Sequence, residues 1–320
     1  MSGGLCAPGI VALFGATGTG KTGLACEIAD RIPCHLISCD ALSVYRGLDA
    51  ATAKPRGDEA RHAWALVDVA EPTTDVNLGA WVRAAETEVA WAWHSGRVPL
   101  VVGGTGLYLR GLLKGVAPAP PRDATLRARL AGRAAERGVP YLHRVLARLD
   151  PRTAARLRPT DPQRVIRALE VRLLTGDSLA ELQGEGWRGP DRWPVLRFGL
   201  EVPREELYPR LDARVDGFFA RGLVAEVRWL LGPGGVPAGS NALSGIGYRE
   251  VAAAVATGPA APAPRNAAGL VEAVRLSTRH YAKRQETWFR REIPAERHDP
   301  REPGLADRLA ARIAAWCREG

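Results

Sequence analysis

Short apolar runs alternate with amphipathic segments along the first third of the chain. Ile10-Val11-Ala12-Leu13-Phe14, Cys34-His35-Leu36-Ile37-Ser38 and Val98-Pro99-Leu100-Val101-Val102 suit strands buried on both faces. Between the first two, Thr22 to Ala29 places apolar residues at helical spacing. Asn77 predicts the cap of a helix with an apolar face of Leu78, Trp81, Val82, Ala85 and Val89, closing at Gly96. Strand–helix alternation predicts a parallel sheet covered on both faces, with ligands at the carboxyl ends of its strands. Segments 15–22, 38–46 and 103–106 then share one rim.

The pattern changes near Pro118-Ala119-Pro120-Pro121. From there to about residue 190 it is helical, with Asp123 capping one helix and Asp161-Pro162 opening another. Glycines and prolines at 184–194 close this section, and Val195-Leu196-Arg197-Phe198-Gly199-Leu200-Glu201 reads as a strand returning to the sheet. The expected organisation is an α/β core over 1–118 and 194–320, interrupted by an all-helical insertion at 119–193. Further helices are predicted at about 204–232, 248–256 and 266–291, with a loop across 258–264.

Between the first strand and the first helix stands Gly15-Ala16-Thr17-Gly18-Thr19-Gly20-Lys21-Thr22, a phosphate-binding loop of the form G-x-x-x-x-G-K-[ST] in the context the motif requires. Its glycines let backbone N–H groups turn inward, and the helix N-terminus adds positive potential. Lys21 supplies a mobile cation for phosphate oxygens, and the Thr22 hydroxyl suits Mg²⁺. The chain therefore handles a di- or triphosphate.

A net charge of +9 adds a second theme. Residues 122–172 carry arginines at 122, 127, 129, 133, 137, 144, 148, 152, 156, 158, 164, 167 and 172, against only Asp123, Glu136, Asp150, Asp161 and Glu170. A one-signed helical segment points to a polyanion such as nucleic acid. Arg164 and Arg167 lie one turn apart on one predicted face. The five cysteines include no CxxC pair, which reads as reduced cytoplasmic thiols. No apolar run approaches the roughly 18 residues of a membrane span, and no secretory signal is evident.

Asp40 follows the second predicted strand, so it faces the phosphate rim as a general base, a partner of the Mg²⁺ shell, or a turn residue. Thr105 either holds a substrate or caps the next helix. The third strand carries no acidic residue at its tip and there is no Asn-Lys-x-Asp element, which argues against an ordinary ATPase or GTPase. Lys283 to Arg291 interleaves basic and aromatic residues on a helix; Trp288 and Phe289 either stack on RNA bases or belong to the core.

These segments, in this order, resemble the tRNA dimethylallyltransferases (tRNA isopentenyltransferases) of bacterial type. The likeness rests on the phosphate loop, Asp40 to Asp49, Thr52-Ala53-Lys54-Pro55, Val102 to Tyr108, Asp161 to Glu170, Ile246-Gly247-Tyr248-Arg249-Glu250, and Tyr281 to Arg290, reaching about residue 300. The resemblance implies a P-loop-kinase-like parallel sheet flanked by helices, with a helical insertion that helps grip tRNA. It implies transfer of a dimethylallyl group from dimethylallyl diphosphate to the N6 amine of adenosine 37, beside the anticodon, by a cytoplasmic monomer with Mg²⁺ as cofactor.

Carried over by position, Asp40, Thr105, Arg214 and Lys21 are the catalytic candidates. Gly15, Ala16, Thr17, Gly18, Thr19, Gly20, Lys21 and Thr22 hold diphosphate, with Thr22 toward the metal. The tRNA-contacting candidates are Asp40, Ala41, Leu42, Ser43, Thr105, Arg127, Gln163, Arg164, Val165, Ile166, Arg167, Ser244, Gly245, Ile246, Gly247, Tyr248, Arg249, Lys283, Arg284, Gln285, Glu286, Thr287, Trp288, Phe289 and Arg290. Ala41 and Ser43 depart from the family, which commonly has Ser and Gln there, and the zinc finger of eukaryotic members is absent. The rival readings are a P-loop small-molecule kinase, a prenyltransferase acting on free adenine nucleotides, and a noncatalytic RNA-binding protein.

Overall fold

A computed structural model describes residues 9–117, 120, 122–183, 187, 189–237, 239–256 and 264–319. The chain divides into two compact units, Met1–Leu113 with Asp191–Gly320, and Lys114–Pro190. The first opens with β1 (Ile10–Gly15), α1 (Lys21–Ala29), β2 (Cys34–Cys39), β3 (Trp64–Ala65), α2 (Leu78–His94), β4 (Val98–Gly103) and α3 (Gly106–Lys114). The second holds α4 (Ala124–Arg137), α5 (Val139–Leu149), α6 (Pro151–Ala154), α7 (Pro162–Thr175) and α8 (Leu179–Gln183). The chain then returns to the first unit through β5 (Val195–Leu200), α9 (Arg204–Ala220), α10 (Leu223–Leu230), α11 (Tyr248–Ala256), α12 (Pro264–Glu292), β6 (Glu296–His298) and α13 (Leu305–Glu319).

The six strands are all parallel, in the order β3-β2-β4-β1-β5-β6. Alternate residues of the central strand feed opposite layers, as the pleat requires. Ile10, Ala12 and Phe14 join a core with residues from α2, α3 and α9–α12, while Val11 and Leu13 join one with α1 and α13. The short edge strands β3 and β6 carry too little apolar sequence to be read in advance. The helix expected over 204–232 is two helices, because Gly222 breaks it in the left-handed conformation at φ 85°.

Side-chain caps start the helices that the sequence marks. The Asn77 carboxamide accepts from Ala80 N (3.1 Å), Asp123 from Leu126 N (2.7 Å) and Asp161 from Arg164 N (3.1 Å). Arg192 N bonds Leu113 O (2.8 Å), and Trp193 packs edge-on against Trp93, so the first unit resumes at 191 rather than at the expected 194. The helical unit encloses its own core of Leu142, Leu146, Ala154, Val165, Ile166, Ala168 and Leu169. The loop expected across 258–264 lies outside the described residues apart from Pro264, where α12 begins. No described helix is long and apolar enough to cross a membrane.

Candidate active site

The carboxyl ends of β1, β2 and β4 carry three loops to one rim. The first turns sharply: Gly18 and Gly20 take φ of 82° and 80°, conformations that a Cβ would strain. Thr19 and Lys21 both donate to Ala16 O, at 2.8 and 2.6 Å. At the start of α1 the amides of Lys21, Thr22 and Gly23 precede the first intrahelical bond, Leu24 N to Gly20 O (3.2 Å), and so form a ready anion site. Desolvation and the Arg214 guanidinium lower the Lys21 pKa to about 7, against the opposing pull of Asp40.

Asp40 stands just past β2, and its Oδ1 accepts from Leu42 N (2.8 Å) and Ser43 N (3.0 Å). These bonds fix the carboxylate and identify a turn role that coexists with any chemical one. Thr105 follows β4, where its amide donates to Cys39 O (3.2 Å) and its carbonyl accepts from Tyr108 N and Leu109 N as α3 begins. The Thr105 side chain lies beside the Tyr281 hydroxyl and acts on its titration. Burial and then the nearby Asp40 carboxylate raise the Tyr281 pKa, so its phenol stays protonated. Arg214, on α9, lies over the Phe218 ring and donates to Thr52 O (3.4 Å). Burial lowers its pKa and Asp40 opposes that shift. Lys21, Asp40, Thr105, Arg214 and Tyr281 thus belong to one electrostatic neighbourhood.

Tyr281 was not legible as a site residue, and Gln285, expected as a tRNA contact, has a bracing role that the sequence did not mark. The buried Gln285 carboxamide accepts from Thr17 N (2.9 Å) and donates to Gly104 O (2.8 Å), bracing the phosphate loop against the Thr105 loop. The signal lay in the spacing of 281, 285 and 289, which puts all three on one helix face. Phe289 continues that face into the core, 4.7 Å from the Phe14 ring, and Trp288 packs over Gly106.

The remaining nucleic-acid candidates sort by burial. Gln163, Arg164, Ser244, Arg249, Lys283, Arg284, Thr287 and Arg290 are exposed, whereas Ser43, Val165, Ile166, Gly247, Tyr248, Gln285 and Phe289 are buried. Ala41, Leu42, Gly245, Ile246, Glu286 and Trp288 lie between these extremes. Glu286 is paired with Arg204 (3.1 Å). The Val165 and Ile166 side chains form the core of the helical unit, so any contact these two make to a ligand is by backbone. Arg127 (3.0 Å) and Arg167 (2.6 Å) converge on the fully buried Glu170 carboxylate. The Ser43 hydroxyl is buried without a hydrogen-bond partner among the described residues.

A phosphate loop after the first strand of a parallel sheet, with a carboxylate past the neighbouring strand, defines a P-loop protein of kinase-like architecture. A family model described as IPP transferase matches residues 43–292. The tRNA dimethylallyltransferase of Thermomicrobium roseum is 41% identical over 313 residues, covering 97% of this chain and 92% of that protein. The crystal structure of the tRNA isopentenylpyrophosphate transferase from Bacillus halodurans superposes with a TM-score of 0.69 at 29% identity, covering 98% of each chain. A eukaryotic dimethylallyltransferase captured acting on tRNA shares the fold, with a TM-score of 0.76 at 21% identity over 96% of this chain and 78% of that one. The chain belongs to the tRNA dimethylallyltransferase family.

Proposed function

We propose that this enzyme transfers a dimethylallyl group from dimethylallyl diphosphate to the exocyclic N6 amine of adenosine 37 in tRNA, releasing diphosphate and N6-isopentenyladenosine. The observation that carries this reading is the convergence of Lys21 and Arg214 with Asp40 and Thr105 at one rim of the sheet. The amine is a poor nucleophile, since its lone pair is delocalised into the purine ring. As its nitrogen bonds the allylic carbon, that carbon's bond to the diphosphate oxygen breaks and the amine proton passes to Asp40. Lys21, Arg214 and the amides at the start of α1 take up the charge on the leaving diphosphate. The Thr105 hydroxyl, beside Tyr281, orients the base after it has left the loop stack, a step costing a few kcal/mol.

Mg²⁺ fits these residues in one way. No cluster of three His, Cys, Asp or Glu suited to a metal occurs among the described residues. The Thr22 hydroxyl, with diphosphate oxygens and water, makes the hard-oxygen set that Mg²⁺ prefers; when bound, it neutralises leaving-group charge. Arg164 and the exposed cations of α12 contact phosphates of the RNA. Incubation with labelled dimethylallyl diphosphate and tRNA, AMP or a panel of kinase substrates tests the reading. Label in tRNA supports it, label in AMP indicates a free-nucleotide prenyltransferase, and phosphorylation of a small acceptor from ATP indicates a kinase.

A further inference from the structure

The segment Asp49-Ala50-Ala51-Thr52 is held by charged and polar side chains at almost every backbone group. Glu226, on α10, accepts from Asp49 N (3.0 Å) and Ala50 N (2.9 Å) and receives the Tyr248 hydroxyl at 2.6 Å. Tyr248 in turn accepts from Ala51 N (3.3 Å). On the carbonyl side, Arg56 donates to Asp49 O, Arg221 to Ala50 O (2.9 Å) and Arg214 to Thr52 O (3.4 Å). Leu48, Ala50 and Thr52 are buried, and the Thr52 hydroxyl bonds Leu48 O (2.6 Å). Tyr248 is fully buried, so its hydroxyl is committed to this network.

A carboxylate that accepts two amides and a phenol is satisfied only in one geometry, and its donors come from two chain segments far apart in sequence. The end of the segment it fixes is the carbonyl that receives Arg214. We propose that Glu226 is a positioning residue for the diphosphate subsite: with Tyr248 it sets the 49–52 segment and, through Thr52 O, the place of Arg214. This rests on the assignment of Arg214 to the diphosphate made above. Glu226 touches no reacting atom; its effect reaches the substrate only by way of the arginine.

A double-mutant cycle with inorganic diphosphate as the probe tests this. Calorimetric Kd values are measured for the full chain, Glu226→Gln, Arg214→Ala and the double variant, with melting temperature and tRNA affinity beside them. Losing one charge-assisted network should weaken diphosphate binding about tenfold in the otherwise unaltered protein and less than about twofold once Arg214 is gone. tRNA affinity should stay put. Tyr248→Phe, which removes one hydroxyl and keeps the ring, should show the same non-additivity at smaller size, and serves if Glu226→Gln does not fold. Equal weakening in both backgrounds, or none in either, overturns the proposal. Arg214→Ala binding diphosphate as tightly as the unaltered protein would overturn both this proposal and the arginine's assignment, and that arm alone tells the two failures apart.

Discussion

The rim of the sheet and the helical unit both carry positive charge, and they treat it in opposite ways. At the rim, Lys21 and Arg214 rest on backbone carbonyls rather than carboxylates, and burial lowers both pKa values, helped by Arg214 beside Lys21 and by Arg221 beside Arg214. In Lys114–Pro190 the arginines range from buried pairing to full exposure, with Arg152 in a surface pair with Glu181. Arg127 and Arg167 are spent on the buried Glu170, while Arg164 is 73% exposed and only 3.5 Å from Asp161. Arg129, Arg133, Arg144, Arg148 and Arg158 are exposed and form no ion pair with a described residue. Cations short of water and counter-ions act strongly on an anion that arrives beside them. Hydrated cations bind a polyanion through many weak contacts that salt dissolves. On the proposed function, the same residue types serve chemistry in one unit and docking in the other.

The sharpest break of this contrast is at Asp40, the acid that faces the rim cations. Asp40→Asn keeps an oxygen for Leu42 N and Ser43 N but cannot take a proton. A roughly 10²–10⁴-fold drop in single-turnover rate is expected, whereas a rate near that of the unaltered enzyme would leave Asp40 as a turn residue only. Lys21→Ala should follow, with a roughly 10²–10³-fold loss in turnover and tRNA affinity retained, if Lys21 serves the leaving group as proposed. Equal loss of tRNA affinity would contradict the division of labour between the two units.

Within the helical unit, two arginines one turn apart should behave differently. Arg167→Ala strips the buried Glu170 of a donor at 2.6 Å and should cost about 2 kcal/mol of stability, read as a lowered melting temperature. Arg164→Glu should barely move the melting temperature. It should instead lower the slope of log K against log salt for tRNA by about one. A reversed assignment of the two effects would show that exposure in the free protein does not mark the docking side chains.

The smallest effect is a proton. Lys21, with a pKa near 7 in the ligand-free site, is largely neutral at pH 8, and bound diphosphate favours its charged form. The unaltered protein should take up close to one more proton than Lys21→Ala on binding diphosphate at pH 8, and almost none more below about pH 6. Calorimetry in two buffers of different ionisation enthalpy measures the difference. Stability has a matching sign: the unfolded chain holds this proton up to its ordinary value of 10.5, the folded one only to about 7. The ligand-free protein therefore gains stability from this group as pH rises between those values.

Much of the frame was legible because its signals are local. β1, β2 and β4 are apolar runs, Asn77, Asp123 and Asp161 cap the helices they precede, and the phosphate loop needs only its glycines and the strand and helix beside it. The edges were not legible, since β3 and β6 are two and three residues long. The stretch Lys283–Arg291 mixed two answers in one run. Read linearly it interleaves base and aromatic; folded, it separates into an exposed basic face and an inner face of Gln285 and Phe289.

By itself, then, the sequence determined the order of strands and helices, the phosphate loop, the excess of arginine in one section and the family pattern. Each is carried by residues a few positions apart, where backbone preference and side-chain period act directly. Tertiary structure decided which of the marked residues are left exposed and which are spent inside. Glu226 reaches Asp49 across 177 positions, Gln285 reaches Thr17 across 268, and Arg127 and Arg167 find the same buried Glu170. No local rule specifies such partners. They are set by the demand that every buried amide, carbonyl and charge be matched once the layers close, and that demand exists only in the packed chain.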